Sequence, residues 1–194
     1  MQITPPKESD EYVAAIREAL ELLIAQPTPA EAPPCQNCVK HVPVSCSPKC
    51  PEAQASLSSD PINFPLEEKV VSLSFELAST RLIETCWSCE GHFGHDGKLW
   101  KLPQVTFYAH SPVYPQLMLR HIQGLANSKR MAYEWKIVLS DFGQSWNFSY
   151  NIEPNLNGVT APRLGALQQD LQLIAENLCE SLKGLARKML EEID

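Results

Sequence analysis

The sequence predicts an α+β fold: a four-stranded antiparallel sheet packed with helices, with an irregular arm on its N-terminal side. Three observations lead there. Apolar residues recur at helical spacing in four segments, apolar and β-branched residues gather in short runs in four others, and the two patterns follow one another as α–α–ββ–α–ββ–α. Strands that come in adjacent pairs separated by helices favour antiparallel pairing with helices laid over the sheet. At 194 residues the chain has room for one sizeable core and a short appendage, and is too short for two full domains.

Taken in order, Asp10 to Ala25 places Val13, Ile16, Leu20, Leu23 and Ile24 on one stripe, with acids in its first turn, and reads as an amphipathic helix. Gln26 to Pro34 (QPTPAEAPP) is too proline-rich for helix or central strand and reads as an extended linker. A cysteine-rich stretch, Cys35 to Pro51, follows it, then a turn at Leu57–Pro61. Pro65 opens a second helix, Leu66 to about Thr80, with Glu67 and Glu68 as dipole-compatible acids in its first turn.

Ile83–His92 and Val105–Ala109 read as strands joined through the turn His95-Asp96-Gly97. Val113 to Ser128 is a helix with Tyr114, Leu117, Met118, His121, Ile122 and Leu125 inward. Tyr133–Ser140 and Ser145–Ile152 are two further strands, the second alternating Trp146, Phe148, Tyr150 and Ile152, around a hairpin turn at Asp141-Phe142-Gly143. Arg163 to Glu192 reads as one long leucine-rich helix at near-heptad spacing, a stripe suited to covering the sheet or to forming a homodimer. The division expected is residues 1–60 as helix, linker and cysteine arm, and residues 61–194 as the α+β core.

Composition narrows the function. The net charge is −7, with four basic and eight acidic residues in 1–60 and twelve and fifteen in 61–194, so neither part is basic. Phosphate neutralisation needs clustered Lys and Arg, which argues against nucleic acid as the main partner and leaves a protein or small molecule. The first fifteen residues carry Lys7, Glu8, Asp10 and Glu11 where a signal peptide would need a basic start and an apolar run, and no stretch spans a bilayer, so the expected setting is cytoplasmic. In that reducing compartment a cysteine cluster reads as metal-binding or catalytic rather than as a disulfide framework.

Seven cysteines and 16 prolines are unevenly spread: four cysteines and eleven prolines fall in the first 65 residues. Cys35, Cys38, Cys46 and Cys50 offer four thiolates within sixteen residues, enough for a tetrahedral zinc site that would staple an arm lacking apolar residues to bury; His41 is a further candidate ligand. Half of a zinc-deaminase signature is present at Pro34-Cys35-x2-Cys38, but no histidine precedes His41, and Val39 stands where haem attachment would need histidine.

A second constellation, Cys86-Trp87-Ser88-Cys89-Glu90-Gly91-His92-Phe93-Gly94-His95, repeats candidate ligands every three residues. In a regular strand Cys86 and Cys89 point to opposite faces, so joint ligation calls for a bulge or turn, for which Gly91 and Gly94 are suited. Cys86, Cys89 and His92 are candidate metal ligands, with His95 in reserve, and Glu90 and His92 are candidate catalytic groups, Glu90 as a general base on a metalloenzyme reading. A thioredoxin-type site would need the cysteines at a helix N-terminus, whereas here a glycine turn follows. Trp87, Trp100, Phe107, Tyr108, Tyr133, Trp135, Trp146, Phe148 and Tyr150 form an aromatic set in or beside the strands, expected to pack against helices; stacking on RNA bases is the alternative. Cys179, beside Leu178 and Leu182, is expected in the core.

The stretches CQNCVKHVPVSCSPKCPEA, ETCWSCEGH and LWKLPQVTFYAHSPVY together resemble a bacterial family with no assigned activity, over most of the chain; the resemblance implies that the cysteine pairs are its shared feature and implies no reaction. Ser88-Cys89-Glu90-Gly91-His92 is also similar to the Ser-Cys-x-Gly-Arg motif of the tRNA wybutosine-synthesis methyltransferase, departing at His92, where that motif has a phosphate-binding arginine. The expectation is therefore a cytosolic zinc-binding accessory or interaction protein, with a metalloenzyme or an RNA-processing factor as alternatives.

Overall fold

The computed structural model describes residues 10–27, 50–58, 60–141 and 148–193. Cys35, Cys38, His41 and Cys46, the linker from residue 28 on, the turn at Phe142-Gly143 and Trp146 with the start of the expected strand Ser145–Ile152 lie outside the described residues. The expected α+β architecture is present. Helix α1 (Asp10–Ala25) has the bounds that its periodicity predicts; α2 (Pro51–Ser56) and α3 (Val71–Ser79) precede strand β1 (Ile83–Cys89) and a small hairpin, β2 (His92–Phe93) and β3 (Leu99–Lys101). Then come β4 (Gln104–Ala109), α4 (Val113–Asn127), β5 (Glu134–Asp141), β6 (Ser149–Asn155), α5 (Leu164–Ala175) and α6 (Leu178–Ile193). The main sheet is antiparallel throughout, in the order β1-β4-β6-β5.

One face of that sheet carries the core. Val105, Phe107 and Ile152 are wholly buried, and Tyr150, the register partner of Phe107, stacks on its ring with centroids 5.6 Å apart. Leu20 and Leu23 of α1 join the same core as Leu117, Met118 and Ile122 of α4 and Leu178, Leu182 and Ala186 of α6. Thus α1, which the sequence groups with the cysteine arm, packs with the helices that cover the sheet. Its ties are polar as well: the Tyr114 hydroxyl donates to the Ala19 carbonyl at 3.1 Å, and the buried Lys183 ammonium donates to the carbonyl of Gln26 just past the helix end. Burial holds the Tyr114 hydroxyl proton firmly, pushing its pKa up to about 12. Cys179 is buried in the core as expected, its thiol pushed up to about 11 by burial.

Strand β6 (Ser149–Asn155) runs three residues past the expected end at Ile152, and three further elements differ from expectation. The second helix begins at Val71 instead of Leu66. The residues before it form a turn because their polar groups bond elsewhere: the Lys69 N–H donates to the Glu90 carboxylate at 2.9 Å, and Glu67 reaches the end of β1. The expected strand Ile83–His92 stops at Cys89, because Gly91 takes φ +86° and starts a new direction in which His92 opens the small hairpin. The single long C-terminal helix is two helices, broken where Asn177 adopts a left-handed φ of +55°. The break lets α5 and α6 lie on different parts of the core.

The aromatic set divides. Phe107 and Trp135 are buried as expected, whereas Trp87 and Trp100 stand at the surface around the small hairpin, Trp100 being 74% exposed; Phe93, outside that set, is exposed beside them. Among the described residues no helix is long and apolar enough to cross a membrane.

Candidate metal centre

The hairpin and the end of β1 build one wall of a cavity of about 460 Å³; the turn before α3 builds the other. Leu57, Phe64, Pro65, Leu66 and Trp87 give it apolar sides, while Glu67, Cys86, Cys89, His92 and Lys101 supply its chemistry. Ser58 and Asn63, also on its lining, are engaged in holding the turn: the Ser58 hydroxyl donates to the Phe64 carbonyl and the Asn63 amide to the Asp60 carboxylate.

Within this wall the side chains of Glu67, Cys89 and His92 offer one ligand atom each, all within 4.8 Å of one another. The Glu67 Oε1 to His92 Nε2 distance is 2.7 Å. Each position has a local cause. Pro65 and the turn that replaces the first helical turn hold Glu67 beside β1, Cys89 ends the strand, and the positive φ of Gly91 swings His92 round to the same side. Backbone donors orient the acceptors: the Glu90 N–H donates to Glu67 Oε2 at 2.6 Å and the Gly91 N–H to the Cys89 sulfur at 3.4 Å. Such outer contacts fix a ligand's orientation before any ion is bound. Burial raises the Cys89 pKa; the Gly91 N–H and the Lys101 charge act the other way, and the Glu67 carboxylate raises it further. Metal binding at cysteine requires the thiolate, so an ion bound here would have to displace the thiol proton.

The donor set of sulfur, imidazole nitrogen and carboxylate oxygen is one that zinc accepts, with bonds of about 2.0–2.3 Å. Those bond lengths separate tetrahedral ligands by roughly 3–4 Å, so small side-chain movements close the group on an ion.

The residues expected from sequence are only partly brought together. Cys89 and His92 meet. Cys86 lines the same cavity but lies outside the three-ligand group; it is the extra residue of a β-bulge between Thr85 and Trp87, with its thiol pKa raised chiefly by burial. The bulge lies at Cys86 itself and not at Gly91 or Gly94, and it does not bring Cys86 into the group with Cys89. Glu90, the expected base, does not line the cavity: its carboxylate accepts from Lys69, its N–H serves Glu67, and its carbonyl accepts from Gln168 Nε2 at 3.0 Å. His95 is exposed in the hairpin turn and outside the group. Cys50, the described member of the N-terminal quartet, packs on Ala53, Val71 and Phe75 together with Leu57 and Leu66, two residues of the cavity wall.

Glu67 is the candidate ligand that sequence reading missed. It reads as one of two helix-start acids, and its 22-residue separation from Cys89 matches no ligand spacing; only the closing of the turn onto β1 brings it there. No protein-family model, no curated protein and no solved structure matches the chain, so the fold and the site geometry carry the functional reading.

Proposed function

We propose that this chain is a zinc-binding protein whose working centre is Glu67, Cys89 and His92, and that this centre serves a small-molecule ligand held in the adjoining cavity. The observation that carries it is the convergence of three unlike donors, all within 4.8 Å of one another, on the wall of one cavity. Structural zinc sites close four protein ligands around the ion, whereas three protein ligands facing a cavity leave a coordination position for something else. Zinc there supplies Lewis acidity. The chain's own residues supply the rest: two backbone N–H groups orient Glu67 and Cys89, and Phe64, Leu66 and Trp87 give the adjoining cavity apolar sides. In this reading Glu90 is a positioning residue that ties the pre-α3 turn to β1, in place of the general base that its sequence position suggests.

The quartet Cys35, Cys38, Cys46 and Cys50 is proposed to hold a second, structural zinc. Cys50 supports an accessory role for it, since its packing joins the arm to Leu57 and Leu66 of the cavity wall.

The test is metal content of chelator-free protein, measured by inductively coupled plasma mass spectrometry on folded, size-purified samples. About two zinc ions per chain are expected. Glu67→Gln with His92→Ala should remove one and leave the other, and Cys35→Ser with Cys38→Ser should do the converse. Unchanged zinc in the Glu67/His92 variant would refute the working centre.

A further inference from the structure

A metal held by Glu67, Cys89 and His92 leaves unexplained the one cationic side chain on the described cavity lining. Lys101 is the cross-strand register partner of His92, so the two side chains leave the small hairpin side by side. Its ammonium sits 4.3 Å from the centroid of the Trp87 ring, in a cation–π contact. Among the described residues no carboxylate forms an ion pair with it; the salt bridges of this region use Lys69, Lys98 and His92 instead. A charge so placed is held over an aromatic face and remains available to a partner in the cavity.

From this we infer that the cavity binds a small monocarboxylate with an apolar or aromatic body, its carboxylate received between the metal and Lys101 and its body against Trp87, Phe64 and Leu66. The inference rests on the metal reading above and gives it a ligand class. Charge decides the head group. A divalent cation with one thiolate, one carboxylate and a neutral imidazole is electrically balanced, so Lys101 is the uncompensated charge and one negative charge satisfies the site. A phosphate dianion would bring one charge too many and would find no array of backbone N–H donors, because those of Glu90 and Gly91 are spent on Glu67 and Cys89. The walls decide the body. Leu57, Phe64, Pro65, Leu66 and Trp87 are apolar, Ser58 and Asn63 are engaged in the turn, Ser88 adds only one small hydroxyl, and about 460 Å³ lies within the range of small-molecule sites.

The experiment uses the full chain loaded with zinc, with metal content measured on every sample. Benzoate, benzamide and inorganic phosphate are titrated by isothermal calorimetry, with tryptophan fluorescence followed in parallel. Benzoate should bind and change the emission of Trp87, a change absent from Trp87→Phe. Benzamide and phosphate should bind at least about tenfold more weakly, as expected when one charged contact is lost or mismatched. Lys101→Gln should weaken benzoate by a similar factor with zinc content unchanged, and Lys101→Arg should restore most of it. Equal binding of benzamide or phosphate, or full benzoate affinity in Lys101→Gln with zinc retained, overturns the carboxylate assignment. Loss of zinc from the wild-type centre overturns the metal reading instead, so the two failures are told apart by the metal measurement.

Discussion

The carboxylate of Asp170, on α5, accepts the indole N–H of Trp135, on β5, at 3.1 Å in the interior of the protein. The same carboxylate accepts the backbone N–H groups of Ala132 and Tyr133 at 2.8 and 2.9 Å, so one acid satisfies three donors at the entry to β5. A buried carboxylate is tolerated because its partners replace water. Asp170→Ala leaves those donors unpaired and should cost about 3 kcal/mol in urea unfolding. Asp170→Asn should rescue only part of it, since an amide nitrogen cannot accept. A loss under 1 kcal/mol for the alanine variant would contradict the role assigned to this acid.

His121 joins α4 to both C-terminal helices. Its Nε2–H donates to the Ile174 carbonyl at 3.0 Å, which leaves Nδ1 to accept the Ser181 hydroxyl at 2.7 Å. Burial lowers its pKa below the ordinary 6.5; the Ile174 carbonyl opposes that and Arg130 adds to it. Between the lowered native pKa and the unfolded value the unfolded chain binds more protons, so stability rises with pH there. The contribution is complete above about pH 6.5 and is lost as the solution is acidified through that window. His121→Gln should therefore show a shallower fall in melting temperature from pH 7 to pH 5 than the wild type, by about 2–4 °C for each kcal/mol of linkage. Parallel profiles would exclude the histidine as the source.

Gly91 lies between two of the proposed metal ligands. A Cβ there would sit 2.6 Å from Leu164 Cδ1 and 2.9 Å from Pro103 Cδ, on a backbone with φ +86°. Gly91→Ala should destabilise the fold by more than about 2 kcal/mol and weaken zinc binding in a chelator competition, because the N–H groups that orient Glu67 and Cys89 would move. Gly97→Ala is the control: its φ is +72° and nothing lies within 4 Å of the added carbon, so about 1 kcal/mol should be lost with zinc affinity intact. Equal zinc affinity in both variants would show that the Gly91 conformation does not matter to the centre.

Asn177 breaks what would otherwise be one helix. Asparagine tolerates its left-handed φ of +55° better than alanine does, and glycine better still. Asn177→Ala should lose about 1 kcal/mol and Asn177→Gly should be close to neutral in urea unfolding. A stabilised alanine variant would mean that the kink is not imposed by the fold.

Much of this architecture is legible in the residues. The helical stripe of α1, the apolar face of α4 and the run at Tyr133–Ser140 are local signals, and local periodicity determines where each element lies. What is not legible is decided by groups distant in sequence. Leu66–Val70 has helical composition, yet Glu67 and Lys69 bond to residues near Glu90 more than 20 positions away, and the helix starts late. The leucine stripe from Leu164 to Leu190 continues through Asn177 because both helices bury leucines; only the backbone angle of one residue separates them. Cys89 and His92 are visible as candidate ligands because they sit three residues apart, and Glu67 is not, because a turn, which leaves no ligand spacing in sequence, brings it in.

The contact between α1 and α6 has a temporal side. Arg17 Nη2 reaches the Ile193 carbonyl at 3.4 Å across 176 residues of chain, and Leu20 and Leu23 share their core with Leu178, Leu182 and Ala186. During synthesis α1 leaves the ribosome first and can meet α4 part-way, but the part of its stripe that α6 covers waits until that last helix has been made. At 5–20 residues per second that wait is on the order of 10–30 seconds, so the α1–α6 part of the core is the last to close.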